Sequence, residues 1–252
     1  MPKVISIICE SLNFKDVEQI SLRNSVKYHM DMRPSMLSAT SLYLMQTGDP
    51  VPDMGNCHSA SEPCVFSPKG RLISNYVKTR IISNYWPRKF DASFLDPKSS
   101  IESGLKICRE PNSHHYPVLL DFLKHEFYDS DYQYLIYWSL IGHGECYDCR
   151  IDEENKGVPY TLRKTAAEWF RLIDKDILPL VKQDTLVMIH PDHGTARKGQ
   201  GPEAYTDGFM FLYPKEMAKL IPTPSIYWST IRGAIRRATG VDQAMRTAKC
   251  SE

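Results

Sequence analysis

Short, uninterrupted apolar segments are the feature that most restricts how this chain can fold. Residues 4–9 (VISIIC) form a continuous apolar run rich in β-branched residues, which is typical of a strand buried on both faces. The same reasoning predicts four further strands, at residues 80–86, 134–141, 186–189 and 208–213.

Longer amphipathic segments lie between these runs. Apolar residues that recur every three or four positions predict helices over residues 38–46, 118–127, 162–181 and 225–240. Strands that alternate with helices favour a mostly parallel sheet covered on both faces. We therefore predict an α/β fold, a three-layer αβα sandwich. The length favours a single domain over residues 1–252, with an insert at 87–117.

Composition excludes several classes of protein. The chain is 42% hydrophobic with a net charge of +1, which rules out a disordered chain. No apolar run approaches the roughly 18–20 residues of a membrane span, and no basic block indicates a nucleic-acid partner. The first apolar run is too short for a secretory signal. We therefore expect a cytoplasmic protein that does not bind membranes, and its oligomeric state stays open.

Seven cysteines, an odd number, indicate reduced thiols in a protein of this kind. Cys146 and Cys149 form a CxxC pair. It could be half of a zinc site completed by Cys57, His58 or Cys64, a redox pair, or two chance cysteines in a loop. The last is favoured because a second CxxC is missing.

Polar side chains follow three of the predicted strands. Glu10 follows the first, His143 lies between two glycines after residues 134–141, and Asp192 and His193 follow residues 186–189. Ligands of parallel sheets bind at the carboxyl ends of the strands. Carboxylate and imidazole donors together suit Zn²⁺ or Mn²⁺. Glu10 could instead be a loop acid, and Asp192–His193 an ordinary turn.

A hydroxyl at the start of the helix predicted over 38–46 is a candidate nucleophile. The helix dipole and a nearby metal would both favour the alkoxide of Ser38. Thr40 and Ser35 are rival nucleophiles, and Ser38 could instead be a simple N-cap.

Four segments of the chain resemble the alkaline phosphatase superfamily of phosphatases, phosphodiesterases, sulfatases and phosphoglycerate mutases. Residues 185–195 resemble its late strand, which ends in Ser-Asp-His-Gly. Residues 38–48 resemble its nucleophile helix, which ends in Thr-Gly nine residues after the nucleophile. Residues 49–55 resemble the proline–glycine turn that follows, and residues 222–240 its closing helix.

The resemblance implies a role for each candidate residue. Its register places Ser38 on the nucleophile. It implies one Zn²⁺ or Mn²⁺ held by Glu10, Asp192 and His193, with Ser38 completing the ligand set. His143 would contact the transferred group or protonate the leaving group.

The residues present favour one metal site over the two that some members of the superfamily have. Ser139 stands where two-metal members have an aspartate, and no histidine follows His193. Asp148 or Asp207 could substitute.

The predicted function is metal-dependent hydrolysis of phosphate mono- or diesters through a phosphoserine, with a small phosphorylated substrate. Arg33 or Arg197 could clamp the anion, or both could be solvated surface charges. A phosphotransferase or mutase would use the same residues. The chain could also be a degenerate binding protein, or a zinc module on an unrelated fold. A sulfatase is less favoured, because Thr40 and Leu42 replace the Pro and Arg of the sulfatase motif.

Overall fold

The computed structural model describes residues 2–33, 41, 44–45, 73, 77–83, 100–102, 115–139, 159–194, 206–222 and 225–241. These residues form seven strands: β1 (Lys3–Cys9), β2 (Val26–Asp31), β3 (Thr79–Ser83), β4 (Ser100–Glu102), β5 (Tyr134–Ser139), β6 (Thr185–His190) and β7 (Asp207–Tyr213). They also form four α-helices: α1 (Phe14–Val17), α2 (His115–His125), α3 (Pro159–Leu172) and α4 (Trp228–Thr239).

The seven strands form one sheet in the order β2-β7-β6-β1-β5-β3-β4. β1 lies near the centre and pairs in parallel with both β5 and β6. β3 continues the parallel part and pairs with β5 and β4. β7 is antiparallel to β6 and to β2, so β2 runs in the same direction as β6. The carboxyl ends of β1, β5, β6 and β2 therefore lie at one edge of the sheet.

Each face of the sheet packs against helices. Alternate residues of β1 point to opposite faces, so Val4 and Ile8 join one apolar cluster while Ile5 and Ile7 join the other. Helix α4 covers the first face with Ile231, Ala234 and Ile235. Helices α2 and α3 cover the second, with Leu119, Phe122, Leu123, Trp169 and Phe170 among the buried residues. The result is a three-layer αβα sandwich, which confirms the predicted fold class.

The predicted strands correspond to β1, β3, β5, β6 and β7, with the ends of 80–86 and 134–141 outside the described residues. β2 and β4 were not predicted. β4 falls within the range 87–117 that was expected to be an insert, and it pairs with β3 at the edge of the sheet.

The helices follow the predicted pattern, with two differences. Helix α1 was not predicted. The helix expected over 162–181 begins as α3 and continues as a π-helical segment (Ile173–Ile177) and a 3₁₀ turn (Leu178–Leu180). Of the helix predicted over 38–46, Ser41, Leu44 and Met45 are described; they are helical and buried. Among the described helices, none has the length and apolar character needed to cross a bilayer.

Candidate metal centre

Three side chains that could bind a metal meet where β1 and β6 end. Glu10 directly follows β1, while Asp192 and His193 follow β6 after one intervening proline. Because the two strands are parallel neighbours, their ends deliver these residues to the same place. One ligand atom from each residue lies within 4.8 Å of the other two. Glu10 and Asp192 are buried, and His193 is partly buried.

The Asp192 carboxylate is held by the backbone. Its Oδ1 accepts hydrogen bonds from the N–H of Ser11, at 3.1 Å, and from the N–H of His193, at 2.9 Å. Its Oδ2 lies 3.4 Å from Nε2 of His193. Two backbone donors on Oδ1 orient the carboxylate so that Oδ2 lies on the side of the imidazole.

The contact with the Gly194 carbonyl determines the tautomer of His193. Nδ1 lies 2.8 Å from the carbonyl oxygen of Gly194, which can only accept a hydrogen bond, so Nδ1 carries the proton. In the neutral ring Nε2 then has the lone pair, which is the form that coordinates metals. The His193 imidazole is therefore prepared to bind a cation through Nε2.

Glu10 is fixed from the side of β5. Its backbone N–H donates to the carbonyl of Ser139 over 3.0 Å, which extends the β1–β5 pairing by one residue. The indole Nε1 of Trp138 donates to Oε2 of Glu10 over 3.1 Å. Both the main chain and the carboxylate of Glu10 are thus anchored to β5.

Two more polar residues support the turn after β6. Ser41 is buried and its hydroxyl donates to the backbone carbonyl of Asp192. His190, the last residue of β6, is fully buried, and its Nδ1 lies 2.8 Å from the carbonyl of Pro191. Burial lowers the pKa of His190 to about 4, so this ring is neutral at pH 7. The sequence motifs did not point to Ser41, Trp138 or His190, although Ser41 lies in the same predicted helix as Ser38.

The three ligands fit a divalent metal. Two oxygen donors and one imidazole are the donor types that Zn²⁺ and Mn²⁺ accept. The three ligand atoms lie within 4.8 Å of one another, so small side-chain movements would bring all three to the ~2.1 Å at which such an ion would be bound. Two buried carboxylates this close also repel each other, and a cation between them offsets that repulsion. No other group of three such residues occurs in the part of the chain that the structure describes.

The remaining predicted site residues are placed as follows. Ser38, Thr40, His143 and Arg197 lie outside the described residues, as do Cys146, Asp148 and Cys149. Arg33 is described and lies just beyond β2, at the same edge of the sheet as Glu10.

The Arg33 side chain forms an ion pair with the neighbouring Asp31. Its side chain is 74% exposed, and its Nε donates to Asp31 Oδ1 over 2.9 Å. This bond holds the pKa of Asp31 below its usual value. Asp207, the described residue that could substitute as a ligand for a second metal, lies at the same edge of the sheet as Glu10. Its Oδ1 is 2.6 Å from Nε2 of His29.

Comparison with known proteins places this arrangement in a structural context. No protein-family profile matches the chain, and no curated protein sequence matches it. Several solved structures are similar to the chain. The PsFucS1 sulfatase from Pseudoalteromonas sp. matches with a TM-score of 0.60 at 12% identity, over 96% of this chain and 68% of the sulfatase.

The C-terminal periplasmic domain of EcEptC from Escherichia coli, solved in complex with Zn, matches with a TM-score of 0.56 at 10% identity, over 92% of this chain and 80% of that domain. The alkaline phosphatase from the Antarctic bacterium TAB5 matches with a TM-score of 0.50 at 12% identity, over 96% of this chain and 100% of that enzyme. This chain has the alkaline phosphatase-like fold. The similarity runs over nearly the whole chain, so the alkaline phosphatase-like core accounts for the sheet described above, and it confirms the resemblance that the sequence motifs indicated.

Proposed function

We propose that this chain is a metal-dependent hydrolase of phosphate mono- or diesters. The observation that carries the proposal is the convergence of Glu10, Asp192 and His193 at the carboxyl edge of the sheet, with ligand atoms within 4.8 Å of one another. The alkaline phosphatase-like fold supports it, because solved structures of that fold include an alkaline phosphatase and a domain in complex with Zn.

In this proposal the three ligands hold Zn²⁺ or Mn²⁺. A bound divalent ion supplies Lewis-acid stabilisation of the phosphate oxygens and lowers the pKa of a nearby hydroxyl. Burial of Glu10 and Asp192 keeps water away from this charge, which strengthens the electrostatic interaction.

Ser38 is the proposed nucleophile. Solvent water takes up its hydroxyl proton, the oxygen forms a bond to phosphorus, and the bond from phosphorus to the leaving oxygen breaks. His143 donates the proton that the leaving oxygen takes up. Water then cleaves the phosphoserine and restores the free hydroxyl. Thr40 is the alternative nucleophile, and Arg33 or Arg197 would bind the remaining phosphate oxygens.

The direct test measures hydrolysis of nitrophenyl phosphate and bis-nitrophenyl phosphate with added Zn²⁺ or Mn²⁺. Asp192→Asn should lower kcat/KM by more than about 100-fold, because it removes a charged ligand. Asp121→Asn is the matched control, since Asp121 lies on the outer surface of α2 with its side chain 75% exposed. Absence of metal binding and of hydrolysis in the unmodified protein would contradict the proposal.

Further arms of the same test separate the competing functions. Nitrophenyl sulfate tests for sulfatase activity, which the similarity to PsFucS1 makes worth measuring. An added alcohol that receives the phosphate would indicate a phosphotransferase or mutase. Metal binding without turnover would indicate a degenerate binding protein. If Ser38→Ala kept full activity, another residue would be the nucleophile. A cytoplasmic location and a small phosphorylated substrate stay predictions from the sequence.

A further inference from the structure

A row of three side chains lies directly beneath the proposed metal site. Ile8 on β1 is aligned with Trp138 on β5 and with His190 on β6. Glu10 lies two residues beyond Ile8, on the same face of the sheet. This places the Trp138 ring immediately below the Glu10 carboxylate, and its Nε1 donates to Oε2 over 3.1 Å.

The surroundings of Trp138 make this a fixed contact. Its side chain is 1% exposed and packs in the apolar cluster between the sheet and α4. A buried indole has little rotational freedom, so its N–H direction is set by the packing of the sheet. The Glu10 side chain, in contrast, has three rotatable bonds, whose ordering costs conformational entropy. A rigid donor on one carboxylate oxygen restricts those rotations before any metal arrives.

Two other buried indoles show that the contact is specific to Trp138. Trp169 donates to Cys9 Sγ over 3.4 Å on the opposite face of the sheet, and Trp228 donates to the carbonyl of Met32 over 2.9 Å. Among the tryptophans that the structure describes, Trp138 alone donates to one of the three proposed metal ligands.

We propose that Trp138 is a positioning residue for the metal centre: its indole N–H orients the Glu10 carboxylate for metal binding. This inference rests on the proposed function, because it requires that the three residues bind a metal. Hydrogen bonds to the ligands of metal sites typically change metal affinity by about 10- to 100-fold. We expect loss of the Trp138 hydrogen bond to change the metal affinity by a factor in that range.

Trp138→Phe is the test variant, because it removes the N–H and keeps an aromatic ring in the core. Trp169→Phe is the matched control, since it removes an indole N–H that is bonded to Cys9 Sγ on the opposite face of the sheet and does not contact a proposed ligand. Zn²⁺ affinity is measured by competition with a chromophoric chelator. The visible spectrum of the Co²⁺-loaded protein reports the coordination geometry. A loss of core packing away from the site would leave this spectrum unchanged.

Trp138→Phe should bind Zn²⁺ about 10- to 100-fold more weakly and change the Co²⁺ spectrum, while Trp169→Phe should change neither. Equal affinities and identical spectra for the two variants would overturn the positioning role and leave the metal site intact. If the unmodified protein bound neither ion, the proposed function would fall as well.

A measurement on the unmodified protein covers the case in which Trp138→Phe does not fold. In ¹⁵N-labelled protein, saturating Zn²⁺ should shift the indole N–H resonance of Trp138, because its acceptor becomes a metal ligand. The resonance of Trp169 should stay in place. An unshifted Trp138 resonance under Zn²⁺ saturation would overturn the inference.

Discussion

The backbone N–H of Ser11 donates a hydrogen bond to Oδ1 of Asp192 over 3.1 Å, joining residues 181 positions apart in sequence. Ser11 directly follows Glu10 and has a φ of 63°, in the left-handed region that non-glycine residues seldom occupy. In this conformation the N–H of Ser11 points toward Asp192. The turn after β1 therefore carries one proposed metal ligand and orients another.

Substitution of Ser11 should separate backbone conformation from side-chain chemistry. Ser11→Gly keeps the N–H and tolerates the positive φ, so Zn²⁺ affinity should stay close to that of the unmodified protein. Ser11→Val places a β-branched residue at positive φ, which should cost about 1–3 kcal/mol of unfolding free energy and weaken Zn²⁺ binding. Urea unfolding and Zn²⁺ titration measure the two effects. A valine variant with undiminished Zn²⁺ affinity would contradict this account of the turn.

Metal binding should stabilise the folded protein. A ligand that binds only the folded state at 100 times its Kd raises the unfolding free energy by about 2.7 kcal/mol. Zn²⁺ should therefore raise the Tm, and a chelator should reverse the effect. His193→Gln should remove most of this response. His125→Gln, which changes an exposed histidine on α2, should keep it, and loss of the response in both variants would argue against a specific site.

His190 should make stability depend on pH in the mildly acidic range. Its pKa in the folded protein is about 4, against an ordinary value of 6.5. Between these values the unfolded chain binds a proton that the folded chain does not. The contribution of His190 to stability should therefore be complete above about pH 6.5 and decrease by about 3 kcal/mol as the pH falls to about 4.

Chemical unfolding at several pH values, with a chelator present, measures this dependence. His190→Leu cannot take up the proton, so its stability should fall less over the same range. His125→Gln serves as the control and should keep the slope of the unmodified protein. Identical slopes for the leucine variant and the unmodified protein would show that another group causes the acid sensitivity.

Gly208 permits close packing between β7 and the end of β2. A Cβ at this position would overlap Met32 Sδ and lie 2.6 Å from Met32 Cγ, and Met32 is fully buried. Gly208→Ala should therefore reduce the unfolding free energy by about 1–3 kcal/mol. Met32→Ala makes room for the methyl group, so the two substitutions together should cost less than the sum of their separate effects. Strict additivity in urea unfolding would exclude this contact as the cause.

The strands that precede the proposed metal ligands were predictable because they are buried on both faces. β1 and β6 consist mostly of apolar residues, and every residue of both strands is buried. β2 was missed because it is an edge strand with the sequence VKYHMD, in which one of six residues is buried. Such a segment has no continuous apolar signal. β4 has three residues, too few for any periodicity to show.

The meeting of the three proposed metal ligands was predictable for a related reason. Parallel strands end at one edge, so Glu10, Asp192 and His193 could be placed together from the sequence alone. Trp138 could not be assigned a role this way, because its contact with Glu10 depends on which strand lies beside β1. The sequence identifies Trp138 as a buried strand residue and leaves the order of the strands open.

The central position of β1 has a consequence for how the chain folds. Its partners begin at Tyr134 and Thr185, so β1 is synthesised long before either parallel neighbour. Contacts this distant in sequence form slowly and leave apolar surface exposed in the meantime. Glu10 therefore meets Asp192 and His193 only after β1 and β6 have paired. Metal uptake should then be a late event in refolding, and stopped-flow measurement with a zinc-sensitive dye would time the arrival of β6 beside β1.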